Sequence, residues 1–267
     1  MKKLAFVTDL DGTLNHAEPL PDGLLIRGLR TDSCLSRQTL ALLLELAKLT
    51  DIYIATGRSR AGTADFREHF AKAGLRIAGW ILEHGAVVDQ HPAWQESVLA
   101  GIDLAAVRPQ LEELARQHGL SVKVESGGSH QAALRCAVRV EEQTGFLFND
   151  LPAVRSGQFR IAAEPGKIVL VPRQGDKYAA FQAVFGGTHC MACTAGDRPD
   201  DLTLLQHAAF PMTLAGASSV VQQIVRQRGG FIAASAGHEG TAALLEAALA
   251  QFNAKAKRLS ASHEYQP

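Results

Sequence analysis

An excess of charge of either sign is missing from this sequence. Its 27 lysines and arginines are matched by 27 aspartates and glutamates over 267 residues, so no net field draws in a phosphate backbone or an anionic lipid surface. Nucleic acid and membranes are not expected as partners; a small polar ligand is. Cysteine is scarce too. Cys34, Cys136, Cys190 and Cys193 are too few for a disulfide scaffold and suit a reducing, cytoplasmic setting. Cys190 and Cys193, with His189 beside them, have the spacing of half a zinc site or of a redox pair. A structural zinc needs four ligands, and neither a second cysteine pair nor a His-x3-His stretch lies nearby, so a buried strand of small residues is the reading adopted. Long apolar runs are also lacking. The run after Lys2 and Lys3 ends at Val7, short of a signal peptide, and nowhere do about 18 uncharged apolar residues follow one another.

What is present is an ordinary globular composition, 46% apolar and 20% charged, sufficient to bury a core. Short apolar runs alternate with amphipathic stretches, the pattern of an α/β fold in which helices cover a parallel sheet. Leu4 to Thr8 reads as a first strand. Ser36 caps a helix with Leu40, Leu43, Leu44 and Ala47 on one face, and Asp51 to Thr56 reads as the next strand. A helix from Arg60 to Ala73 then leads to a strand from Ala78 to Leu82 and a turn at Gly85.

Between about Val87 and Pro172 the pattern becomes antiparallel α+β, with strands Leu120 to Val124, Ala132 to Val140 and Phe159 to Ala163. Helices fall near Leu104 to His118 and Glu141 to Val154. From Asp176 the β-α rhythm returns: helix to Phe185, strand His189 to Thr194, helix from Pro199, strand Phe210 to Leu214, helix from Ser218, strand Gly230 to Ala233 and helix from Glu239. The expected organisation is a discontinuous core of residues 1–87 and 173–267 with an α+β cap of residues 88–172 inserted. Beyond Lys257 the tail is polar and aperiodic and is expected to fray. Asn15 to Leu35 is too long for an ordinary β-α loop, and such loops often carry function.

The strongest chemical signal is Phe6-Val7-Thr8-Asp9-Leu10-Asp11-Gly12-Thr13, an apolar strand ending in two carboxylates spaced i, i+2. Ligands of a parallel sheet bind outside the carboxyl ends of its strands. Two carboxylates there repel each other unless a cation holds them, and Mg2+ suits oxygen donors while leaving room for a substrate phosphate. One carboxylate can then attack phosphorus while the other protonates the leaving oxygen and later activates water. The competing reading is a turn in which Asp11-Gly12 merely bends the chain.

Asp9-Leu10-Asp11-Gly12-Thr13 resembles the first motif of the haloacid dehalogenase-like phosphatases, which have a Rossmann-like core. Counterparts of three further motifs follow in order. Ile54-Ala55-Thr56-Gly57-Arg58-Ser59 resembles the second, in which the threonine hydroxyl bonds the transferring phosphoryl group; Gly57 and Arg58 are the expected substrate-binding neighbours. Gln174-Gly175-Asp176-Lys177 resembles the third, whose lysine offsets charge on phosphate and nucleophile. Outside that order, a lysine opening a helix reads as a solvated surface residue set against the helix dipole. Gly196-Asp197-Arg198-Pro199-Asp200-Asp201 resembles the fourth. The resemblance implies Asp9 as nucleophile, Asp11 as acid/base, Asp9, Asp11 and Asp197 around Mg2+, and Asp201 holding a metal-bound water or Lys177.

An insertion between the second and third motifs is similar to the branch with sucrose-phosphate, trehalose-phosphate and mannosyl-3-phosphoglycerate phosphatases. Ile81-Leu82-Glu83-His84-Gly85-Ala86 resembles the turn at which that branch enters its cap, with His84 in place of the usual asparagine and Asp200 where asparagine is common. Asp200 adds negative charge near the phosphate site, for Arg198 or Arg58 to offset. The cap is expected to choose the substrate. Arg135 and Arg139 share one strand face, with Lys123, Glu125 and His130 nearby, as candidate sugar contacts or as a plain solvent-facing surface. Trp80 and Trp94 read as core or hinge rather than sugar-stacking residues. The implied activity is hydrolysis of a phosphorylated sugar or related small metabolite. A phosphomutase of the phosphomannomutase type and a non-catalytic phosphosugar sensor are the alternatives.

Overall fold

The computed structural model describes residues 2–29, 31–118, 122–125, 132–138, 148–164 and 167–263. The elements run β1 (Lys3–Thr8), β2 (Leu24–Ile26), β3 (Ser33–Leu35), α1 (Arg37–Ala47), β4 (Asp51–Ala55), α2 (Ala64–Lys72), β5 (Gly79–Leu82) and β6 (Val87–Val88). Next come α3 (Pro92–Val98), α4 (Leu104–Gln117), β7 (Val122–Glu125), β8 (Leu134–Val138), α5 (Pro152–Arg155), β9 (Phe159–Glu164) and β10 (Lys167–Pro172). The chain continues through α6 (Lys177–Val184), β11 (His189–Ala195), α7 (Leu202–His207), β12 (Phe210–Thr213), α8 (Ser219–Gln227), β13 (Phe231–Ile232) and α9 (Gly237–His263). Two compact units result. One comprises Met1–Thr56, Thr63–Trp80 and Phe185–Pro267, the other Gly57–Gly62 and Ile81–Val184.

A seven-stranded sheet, ordered β13-β12-β11-β1-β4-β5-β6, supplies the Rossmann-like α/β architecture. β1 pairs in parallel with both β11 and β4, and β6 runs antiparallel to β5. Ala5 to Thr8 are buried, as expected of a central strand covered on both faces. Because β4 lies on one side of β1 and β11 on the other, the strand order switches at β1, and the carboxyl end of that strand opens onto the crevice. On β11 the buried stretch begins at Met191, so Cys193 is buried and Cys190 is exposed. Burial pushes the Cys193 thiol up to about 12 against the opposing charge of Lys255, which makes it an inert core residue.

Ser36 caps α1 as expected, accepting from the Thr39 amide at 2.9 Å. The buried stripe of that helix, however, is Thr39, Leu43 and Leu46; Leu40 and Leu44 are half-buried and Ala47 is exposed. Periodicity locates a stripe, but the packing partner sets its centre. The helix expected from about Arg60 to Ala73 is present, but its first turn, Ala61–Thr63, is 3-10 and the α-helix α2 begins at Ala64. Ser59 Oγ accepts from the Gly62 amide (3.3 Å) and Arg58 Nη1 donates to the Gly62 carbonyl (3.0 Å), so side chains take the backbone groups an α-helix would use. The Asn15 to Leu35 segment holds a hairpin of β2 and β3, tied back by a bridge between His16 and Cys34. Beyond Lys257, α9 continues to His263 instead of fraying there.

The second unit carries a four-stranded antiparallel sheet, β7-β8-β10-β9. Val107 and Leu111 of α4 pack with Phe148, Leu151, Phe159 and Leu170, and Asp103 caps α4 by accepting from the Ala105 and Ala106 amides. Of the expected helix from Glu141 to Val154, residues 141–147 lie outside the described residues, and α5 starts only at Pro152. Trp80 is buried in the first unit, with Arg67 stacked 4.2 Å over its ring and Phe70 beside it. Trp94 donates to the Gly85 carbonyl at 2.8 Å. Both serve the scaffold. No helix among the described residues is long and apolar enough to cross a membrane.

Candidate active site

Asp9 follows directly on β1, its amide prolonging the ladder to the Ala195 carbonyl at 3.0 Å, and it is only 5% exposed. The chain then turns sharply. The amides of Leu14 and Asn15 both reach the Leu10 carbonyl, and the Gly12 amide reaches the Asn15 carbonyl. Gly12 adopts a left-handed φ of 82°, and a Cβ there would lie 2.3 Å from Asp197 Oδ2. Glycine is needed for both reasons. The same turn directs Asp11 Oδ1 to the side-chain amide of Asn15 (3.1 Å), which also donates to Ser33 Oγ at 2.8 Å.

Asp197 arrives from the carboxyl end of β11. Its carbonyl accepts from the Ser218 amide, Thr13 Oγ1 donates to its Oδ1 at 3.3 Å, and Arg198 Nε stands 3.6 Å from its Oδ2. Asp201 is 1% exposed, and its Oδ2 accepts from the amides of Asp197 and Arg198, both at 3.1 Å. A Cβ on Gly196 would meet Asp201 Cβ at 2.4 Å, which explains the glycine there.

Asp9, Asp197 and Asp201 each offer an oxygen within 4.8 Å of the others'. At that separation two carboxylates repel by roughly 3 kcal/mol at an effective dielectric near 20. Arg198, with its side chain 40% exposed, offsets only part of this for three acids. A set of hard oxygen donors is what Mg2+ takes, and the lack of a Cβ on Gly12 leaves the Asp197 carboxylate the space it occupies beside the turn. The expected metal set was Asp9, Asp11 and Asp197; among the described residues the clustered carboxylates are those of Asp9, Asp197 and Asp201, and Asp11 Oδ1 accepts from the Asn15 side-chain amide. Arg198, which with Arg58 was a candidate to offset Asp200, has its Nε 3.6 Å from Asp197 Oδ2.

Thr56, at the carboxyl end of β4 in the first unit, is 1% exposed. Gly57, Arg58 and Lys177 belong to the second unit. A Cβ on Gly57 would lie 2.5 Å from the His84 ring, so the imidazole packs directly on that glycine. Glu83 and His84 both have left-handed φ, 50° and 60°, an uncommon pair of non-glycine residues in that region. Their strain is held from several sides: the amides of Ala132 and Ala133 donate to Glu83 Oε2 at 2.8 and 3.0 Å, and Arg160 Nη2 donates to the carbonyls of His84 (3.1 Å) and Gly175 (2.9 Å). Glu83 lies in the turn read as the cap entry, whereas Arg160 carries no motif that would reveal its role. Lys177 opens α6 at 3% exposure, which overturns the surface reading, since an ammonium group is buried only with partners. Arg135 lies on β8 in register with Glu125 and Val169. Arg139 and His130 lie outside the described residues.

His16 was not expected in the site. Burial, and after it the neighbouring His238, push its imidazole down to about 4, although Asp11 pulls the other way. A histidine held below its unfolded value near 6.5 gives full stability above that pH and loses it as pH falls toward 4, because the unfolded chain takes up the proton first. Relative to His16→Gln, the native chain is expected to lose roughly 1–2 kcal/mol between pH 7 and pH 5. Urea melts of both proteins at the two pH values check this, and parallel losses contradict it.

Among solved structures the chain is similar to the sucrose-phosphatase of Synechocystis sp. PCC6803, determined with sucrose and phosphate, at 19% identity and a TM-score of 0.64, over 95% of this chain and 99% of that one. It is also similar to a haloacid dehalogenase-like hydrolase from Bacteroides thetaiotaomicron (16% identity, TM-score 0.61, 92% and 99% covered). A sugar phosphatase of subclass IIB in the same superfamily aligns at 17% identity and a TM-score of 0.59, over 92% and 99%. No family model and no curated protein matches the chain. The resemblance read from the four motifs is borne out at the level of fold: the chain has the haloacid dehalogenase-like fold of these neighbours.

Proposed function

We propose that this chain is a Mg2+-dependent phosphatase hydrolysing a phosphomonoester of a sugar or related small polar metabolite. The observation that carries the reading is the convergence of Asp9, Asp197 and Asp201 at the carboxyl ends of β1 and β11. Asp9 and Asp197 would hold the Mg2+, which supplies positive charge to screen the carboxylates and the phosphate oxygens. Asp201, its Oδ2 occupied by two backbone amides, keeps Asp197 in place.

An oxygen of Asp9 attacks phosphorus, and the bond from phosphorus to the ester oxygen breaks as Asp11 gives that oxygen its proton. Water then attacks the phosphorus of the aspartyl-phosphate while Asp11 takes a proton from it, which releases inorganic phosphate and restores the Asp9 carboxylate and the protonated Asp11. Thr56 is assigned to bond the transferring group, Gly57 and Arg58 to bind the substrate phosphate, and Lys177 to offset its charge. Arg135 and Arg139 are assigned to the sugar. The carbohydrate substrates named for two of the structural neighbours favour that class.

Phosphate release from a panel of sugar phosphates, nucleotides and phosphoglycerate derivatives, with and without Mg2+, tests the proposal. Mg2+-dependent release from a sugar phosphate is the expected result. Isomerisation that requires a sugar bisphosphate would make it a mutase, and binding without turnover a sensor; either replaces the proposal.

A further inference from the structure

We propose that Thr241, on the C-terminal helix α9, is a positioning residue for the Asp11–Thr13 turn and, through Thr13, for Asp197. The inference rests on reading those residues as the catalytic site. Thr241 is completely buried, and its Oγ1 lies 2.6 Å from the Thr13 carbonyl, 228 residues away in sequence. The same oxygen is 3.2 Å from the Gly237 carbonyl and 2.8 Å from His16 Nε2. A hydroxyl has one proton and two lone pairs. The shorter contact assigns the proton to Thr13, which leaves an acceptor for the His16 Nε2–H and requires that tautomer.

A buried helical threonine commonly satisfies its hydroxyl on the carbonyl one turn back, here Gly237. Thr241 makes its shorter bond outside its own helix. That bond lands on the residue whose side chain donates to Asp197 Oδ1 at 3.3 Å. His16, the second partner, follows Asn15, the residue that holds Asp11 Oδ1. One hydroxyl thus bonds both Thr13, which is tied to the metal-ligating Asp197, and His16, which adjoins the residue that holds the acid/base Asp11. Close packing alone would be served equally by valine, which has the same shape without the donor. The hydroxyl is what separates positioning from filling space.

Amide hydrogen exchange on the full chain reads the turn without metal or substrate. In Thr241→Val the amides of Gly12, Leu14 and Asn15, all bonded within the turn at 2.8 to 2.9 Å, are expected to exchange about tenfold faster, while those of β1 keep their protection. Thr241→Ser, which retains the hydroxyl, should exchange like the native chain. In turnover, Thr241→Val should lower kcat roughly tenfold with KM within about twofold, and serine should restore it. If valine does not fold, Thr241→Ala compared with Thr241→Ser decides in the same way. Unchanged exchange in Thr241→Val, faster exchange spread over all of β1, or a serine variant as impaired as valine overturns the proposal. A native chain that releases no phosphate while valine still loosens the turn would sink the phosphatase reading and leave the positioning intact.

Discussion

Asp9→Asn is expected to fold normally and to lose phosphomonoester turnover by roughly 10^4-fold or more, even with Mg2+ saturating, because an amide cannot attack phosphorus as a carboxylate does. The fold should survive because the exchange is isosteric and the residue's tie to β11 is its backbone amide, which bonds the Ala195 carbonyl. Removing one of three carboxylates gathered within 4.8 Å also relieves repulsion, so without Mg2+ the melting temperature should hold or rise. Phosphate release and thermal melts on the same preparation check both halves. Substantial turnover by purified Asp9→Asn would remove the covalent mechanism.

Withdrawing Mg2+ with a chelator is expected to abolish turnover reversibly, and Ca2+ should replace it poorly, being larger and less strict in coordination geometry. The same treatment should lower the melting temperature, since a cation bound only by the folded state stabilises it by mass action. Asp197→Asn should need a higher Mg2+ concentration for half-maximal activity and show a smaller melting shift when the metal is added. Full activity in excess chelator, or melts indifferent to Mg2+ in the native chain, would contradict the assignment of this cluster to a metal.

Much of the site was legible because its chemistry is local. An apolar run ending in Asp9 and Asp11, a glycine after them, and Gly196-Asp197 after another apolar run announce carboxylates at strand ends whatever surrounds them. Ser36 was likewise readable, since a cap depends on residues only three apart. The centre of the α1 stripe was not: Leu40, Leu44 and Ala47 satisfy the same period as Thr39, Leu43 and Leu46, and only the surface that the helix packs against chooses between them. The helix expected from about Arg60 begins its α-helical part only at Ala64, because Ser59 and Arg58 turn back onto Gly62, a competition for backbone groups that periodicity does not register.

By itself, then, the sequence determined the alternation of strands and helices, the order of the four motifs and the residue types at the strand ends. Each of these follows from side chains within a few positions of one another. Only the tertiary structure decided which carboxylates meet. It set Asp201 beside Asp9 and Asp197, buried Lys177, and brought Thr241 onto Thr13. Those pairings are made by sheet order and register, which place the ends of β1 and β11 side by side although Thr13 and Asp197 are 184 residues apart. Burial on both faces specifies a strand of a parallel sheet by composition but leaves its neighbours to the packing of the whole.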